Sequence, residues 1–170
     1  MPKAATPPVA DFRTPRLRVS HWATTLADAD AYAKVLQDLP ALLNKEVTRD
    51  LPPSLALGES ISDWVAARAR ESDVYLVTTN DKMIGLLILF RAAPDAAIHL
   101  GYLFAQNTWG QGYATELLRG LLAATPPPAT LLAGVATTNP ASAHVLRKAG
   151  FEQQPAQSEG MLAFARVIAG

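Results

Sequence analysis

The spacing of apolar residues changes several times along the chain, and each change predicts a new element. Arg16 to Ser20 reads as a first strand after the Thr14-Pro15 break. Leu26, Ala29, Ala33 and Leu36 then recur at helical spacing, with Thr25 as N-cap, Asp28 three residues on and Pro40 as the stop. Ala41 to Gly58 shows no period and contains Pro52-Pro53, which predicts a mostly irregular excursion of the kind that often carries function. Ser60, paired with Asp63, predicts the cap of a second helix with Ile61, Trp64 and Val65 on one face.

From there the period falls to two. Val74 to Thr79 and Met83 to Phe90 read as strands joined by the Asn80-Asp81-Lys82 turn. Ala92 to Asp95 turns the chain into Ala97 to Phe104, where Ile98, Leu100, Tyr102 and Phe104 share one face and His99, Gly101 and Leu103 the other. Leu117, Leu118, Leu121 and Leu122 form the stripe of a helix from about Ala114, which Thr125-Pro126-Pro127-Pro128 ends. Thr130 to Ala136 is a strand, and Asn139-Pro140 supplies the N-cap and first residue of a helix closed by Gly150. Met161 to Ile168 reads as the last strand. The order β-α-α-β-β-β-α-β-α-β predicts an α/β domain with a mixed, largely antiparallel sheet and helices packed on it.

Composition narrows the function classes. The 170 residues carry no net charge, so no overall field favours nucleic acid or an anionic membrane. The apolar run Met83 to Phe90 is far short of a membrane span, which takes about 20 residues. Without cysteine there is no disulfide framework, no thiolate nucleophile and no thiolate-ligated zinc, in keeping with a cytoplasmic chain. Residues 1–12, rich in proline and with little apolar continuity, read as a disordered leader ahead of one domain over 13–170.

One stretch carries most of the chemistry. Trp109-Gly110-Gln111-Gly112-Tyr113-Ala114-Thr115 lies between a strand and a helix. Two glycines one residue apart let the backbone turn tightly and approach a ligand. The helix start adds unpaired N–H groups and the positive end of a dipole, so a pyrophosphate would fit there; a ligand-free tight turn fits the same residues. A dinucleotide fingerprint would need glycine where Thr115 stands, and a P-loop needs Gly-Lys-Ser/Thr, which is absent. Gly58-Glu59-Ser60-Ile61-Ser62 lacks the second glycine of a nucleophile elbow. His21, His99 and His144 have no metal-ligand spacing, so no metal is expected.

These residues resemble the GCN5-related N-acetyltransferase (GNAT) family. Trp109 to Glu116 is similar to its acetyl-CoA signature, with Gly112 and Ala114 at the last two fixed positions and Trp109 in place of the first Arg/Gln. That replacement is common in the ribosomal-protein alanine acetyltransferase branch. Asn139-Pro140-Ala141-Ser142 through Lys148-Ala149-Gly150-Phe151 resembles that branch's later helix, and Thr14-Pro15-Arg16-Leu17-Arg18 its first strand.

The resemblance implies a sheet with helices on both faces and a splayed central strand pair, Ala97–Phe104 beside Thr130–Ala136. The co-substrate acetyl-CoA would lie in the splay against Leu103 and Phe104, its pyrophosphate on the amides of Gly110, Gln111, Gly112, Tyr113, Ala114 and Thr115, with Trp109 also on the cofactor side and Asn139 bonding the cofactor or orienting the substrate side. Relatives place Glu where this chain has His99, which makes His99 the candidate base. Many carry a tyrosine on the later helix that protonates the departing thiolate; none stands there, and Ser142 is the substitute the branch suggests. Arg119 and Lys148 are candidates for the 3′-phosphate, and Trp22 and the 41–58 excursion for the acceptor side. The implied reaction is acetyl transfer to a primary amine of a small molecule, peptide or protein N-terminus. A non-catalytic acyl-CoA-binding or sensing module is the rival reading, and a homodimer is left open.

Overall fold

The computed structural model describes residues 2–58 and 60–170. Met1 of the leader and Glu59 of the Gly58–Ser62 stretch lie outside them. Among the described residues eight strands form one open sheet: β1 (Phe12–Arg13), β2 (Arg18–His21), β3 (Asp73–Thr79), β4 (Lys82–Phe90), β5 (Ile98–Phe104), β6 (Ala129–Ala136), β7 (Glu152–Gln154) and β8 (Met161–Ile168). Their order across the sheet is β1-β2-β3-β4-β5-β6-β8-β7. Every neighbouring pair is antiparallel except β5 with β6. The Asn80-Asp81 turn that joins β3 to β4 has both residues at positive φ, the geometry that matches strand twist in a tight hairpin.

The helices of the described residues, α1 (Ala23–Ala27), α2 (Ala29–Leu42), α3 (Lys45–Thr48), α4 (Ile61–Glu71), α5 (Tyr113–Ala124) and α6 (Pro140–Lys148), cover both faces. Alternation along the strands feeds two cores. Tyr75, Val77, Leu87, Leu89, Ile98 and Leu100 pack with Leu117, Leu118 and Leu121 of α5 and Leu146 of α6. Val74, Leu76, Leu86, Ile88 and Leu103 pack on the other face with Leu39 of α2 and Trp64 and Val65 of α4.

Three helical expectations need correction. Thr25 does not cap a helix: it lies inside α1, which starts after Trp22, and the Thr25–Asp28 box does not form. Trp22 is fully buried against Trp64, rings 6.5 Å apart and nearly perpendicular, and that anchoring sets the helix start earlier. Pro40 does not stop α2, which runs through it to Leu42. Its ring faces solvent, while Leu39 and Leu42 on either side are buried, and their burial outweighs the lost N–H. Residues 41–58 are less irregular than expected, because α3 and a 3₁₀ turn at Pro53–Leu55 lie within them. A four-residue helix is too short to show a period.

Residues 2–11, ahead of β1, have no regular structure but are tied down. Val9 is buried in the α5/α6-side core, the Tyr75 hydroxyl donates to the Val9 carbonyl, and Lys3 donates to Asp73 at 3.1 Å.

Candidate active site

The β5–β6 ladder is short. Ile98, His99 and Leu100 register with Leu131, Leu132 and Ala133, and there the pairing ends, although β5 continues to Phe104 and β6 to Ala136. Beyond that point β5 is paired only with β4, and β6 only with β8. Each strand therefore turns one unpaired edge into a wedge that opens toward the C-terminal ends of two parallel strands. Unpaired backbone groups in such a cleft need partners, and an extended ligand carrying its own amides can supply them.

The glycine loop sits at the mouth of this wedge. Phe104 leads through a 3₁₀ turn at Gln106–Thr108 to Trp109, whose indole N–H donates to the Phe104 carbonyl at 2.9 Å and closes the loop. Gly110 has φ 75° and Gly112 φ 82°, a left-handed region that side chains resist. Gly112 is the N-cap of α5 and offers no side chain, so the first N–H groups of a twelve-residue helix have no side-chain cap. These glycines are exposed and backed by the helix dipole, which gives this cradle the electrostatics an anion favours.

Arg16 braces the cradle from outside. Its Nε donates to Glu116 at 2.7 Å, its backbone N–H to the same carboxylate at 2.8 Å, and its Nη1 to the Gln111 carbonyl at 2.9 Å. The guanidinium lies 4.2 Å over the Tyr113 ring, which stacks in turn on Phe104. Thr14 also donates a short bond to Glu116. Burial alone would raise the Glu116 pKa, but the bonds from Thr14 and Arg16 outweigh it and hold the carboxyl below its ordinary range.

On the α6 side, Asn139 caps the helix by accepting from the Ser142 N–H at 3.2 Å. The Ser142 hydroxyl reaches the Tyr102 hydroxyl at 2.8 Å. Tyr102 lies just past the last β5–β6 pair, and burial raises its pKa, against the opposing effect of the Ser142 bond. Sequence reading missed Tyr102 as a site residue. The available signal was a hydroxyl on an otherwise apolar strand face.

The other expected residues are scattered around this centre. His99 lies in the paired part of β5, exposed, with its ring 6.1 Å from that of Phe90. Leu103 and Phe104 point to opposite cores, and Ala114 packs against the α5/α6-side core. Thr115 lines a groove of about 600 Å³ together with Arg13, Arg16, Gly112, Arg119 and Lys148, so the two expected 3′-phosphate residues do share one basic surface. Trp22 is buried rather than lining a cleft. Asp50, from the 41–58 excursion, accepts from Thr138 at 2.7 Å and so meets the loop that leads to Asn139. His21 is not free for chemistry: Nδ1 accepts from the Ala23 N–H, and Nε2 is 2.9 Å from Asp73. Among the described residues no group of three or more His, Cys, Asp or Glu is placed to hold a metal, and no helix is long and apolar enough to cross a membrane.

A family model for the acetyltransferase (GNAT) domain matches residues 16–152. No curated protein sequence matches the chain. Among solved structures, a probable GNAT-family acetyltransferase from Chromobacterium violaceum aligns with TM-score 0.69 at 20% identity, over 97% of this chain and 89% of that one. The microcin C7 self-immunity acetyltransferase MccE, in complex with acetyl-CoA and AMP, aligns with TM-score 0.63 at 16% identity, over 91% and 93%. A Salmonella typhimurium acetyl transferase described as modifying the N-terminal serine of ribosomal protein L7/L12 aligns with TM-score 0.59 at 16% identity, over 91% and 96%. At these identities the likeness is one of fold.

Proposed function

This chain belongs to the acetyltransferase (GNAT) family, and from that premise we propose that it acetylates α-amines, of peptides or of small molecules, in the wedge between β5 and β6. It is an acetyl-CoA-dependent N-acetyltransferase. The observation that carries the site assignment is the parting of β5 from β6 after Leu100 and Ala133, with the Gly110–Gly112 turn at the mouth.

Acetyl-CoA supplies an activated thioester, and the chain's own residues do the rest. The amides from Gly110 to Thr115 hold the pyrophosphate, and the open edges of β5 and β6 hold the extended arm. Arg119 and Lys148 in the basic groove face the 3′-phosphate. His99 accepts the amine's proton from the opposite side of β5, directly or through water. Ser142 donates a hydrogen bond to the sulfur as it leaves. Proximity supplies much of the remaining rate, since a thiolate leaves readily.

The choice of an α-amine follows from what the site lacks. At about pH 7.5, freeing a lysine side chain of its proton costs about 3–4 kcal/mol, and freeing an α-amino group well under 1 kcal/mol. A single exposed histidine as base suits the second task. The solved-structure likeness to an enzyme described as modifying an N-terminal serine points the same way. Paired peptides, one with a blocked N-terminus and one with an acetylated lysine, test this by thiol release from acetyl-CoA. Blocking the N-terminus should abolish turnover. Loss of turnover on acetylating the lysine alone would reverse the assignment.

A further inference from the structure

Resting on the reading of Ser142 as the group that meets the leaving sulfur, we propose that Tyr102 is a positioning residue that fixes the direction of the Ser142 proton. A serine hydroxyl has one hydrogen and can spend it in several directions. In a helix it often turns back onto a carbonyl one turn earlier, where it would be lost to chemistry. Here Ser142 makes its side-chain bond instead to Tyr102 at 2.8 Å, across the boundary between α6 and the splayed end of β5. The Ser142 N–H is held by Asn139, so the first turn of α6 is pinned at two points.

Two hydroxyls in contact share one hydrogen, so one is the donor and the other keeps its own hydrogen free. Burial keeps the Tyr102 phenol protonated, and its ring packs against the α5/α6-side core, edge-on to Phe104 with centroids 6.4 Å apart. With Tyr102 donating, the Ser142 hydrogen is released toward the wedge. When the amine nitrogen bonds to the acetyl carbon, the carbon–sulfur bond breaks and its electron pair stays on sulfur. Ser142 donates a hydrogen bond to that thiolate. The amine's surplus proton passes to the base and then to water, the thiolate takes its proton from water on release, and neither hydroxyl is consumed.

The test reads the thiolate itself and needs no acceptor. Coenzyme A bound to the protein is titrated with base while thiolate formation is followed by ultraviolet absorbance. Tyr102→Phe should bind coenzyme A normally but show roughly two- to twelvefold less thiolate at a given pH, the worth of one neutral hydrogen bond. Ser142→Ala should show at least that loss, and adding Tyr102→Phe to it should change nothing further. If Ser142→Ala shifts the titration while Tyr102→Phe does not, or if the two losses multiply, the Tyr102 proposal is overturned and the Ser142 reading stands. An unmoved titration in Ser142→Ala overturns both. Should Tyr102→Phe not fold, 3-fluorotyrosine at position 102, a stronger donor, must increase thiolate in the Ser142 protein and not in Ser142→Ala; an equal response in both contradicts the proposal.

Discussion

The Arg16 guanidinium ties the segment just before β2 to the glycine loop and the start of α5, roughly 100 residues on, by donating to the carbonyl of Gln111 and the carboxylate of Glu116. It is a charged clamp on the cradle. Replacing Arg16 with methionine keeps an apolar stem there but removes the guanidinium and its bonds to the loop, so acetyl-CoA affinity should fall roughly 5–150-fold, about 1–3 kcal/mol, with kcat changed little. Titration calorimetry and saturation kinetics separate the two. His99→Ala should do the reverse, lowering kcat by ~10²-fold with affinity preserved and flattening the rise of rate with pH. Equal kcat in both proteins would make His99 a surface residue. At this scale the glycine loop was legible because its conformation demands a residue type, and the Asn139 cap because capping is local. The Arg16–Glu116 and Tyr102–Ser142 contacts were not, since they join positions about 100 and 40 apart and leave no local pattern.

Among elements, long periodic runs were readable and short ones were not. The α5 stripe and the β3–β4 hairpin lie where their spacing predicts, whereas β1, β7 and α3 are two to four residues long and carry no period. Proline at position 40 misled for a physical reason: local chemistry opposes the helix there, and burial of Leu39 and Leu42 overrides it. That conflict predicts a gain. Pro40→Ala restores an N–H to the last turns of α2 and should stabilise the protein by about 1–3 kcal/mol, visible as a higher denaturation midpoint. Destabilisation would mean that the ring, not the helix, is what the surrounding packing requires.

A buried charge at the start of β3 ties together the N-terminal segment, β2 and the sheet. Asp73 is almost fully buried; burial alone would raise its pKa, but bonds from His21 and Lys3 prevail and hold it below the ordinary carboxylate range. A depressed folded-state value means stability that is present above the unfolded pKa, about 3.9, and lost as the pH falls through the lower folded value. Melting temperature should therefore drop on acidification from about pH 5 to about pH 3, and drop less in Asp73→Asn, which starts lower. The larger claim is that a sheet with a parted strand pair, and a glycine-capped helix start beside it, is built to hold acetyl-CoA. Thermal unfolding of wild type and Gly112→Val, each with and without acetyl-CoA, tests it directly. Binding linkage predicts that the nucleotide stabilises wild type by about 2.7 kcal/mol at a hundredfold excess over Kd, and Gly112→Val not at all, because a side chain there strains a left-handed turn and crowds Arg16. An unshifted wild type at millimolar acetyl-CoA, or an equal shift in Gly112→Val, would contradict the account.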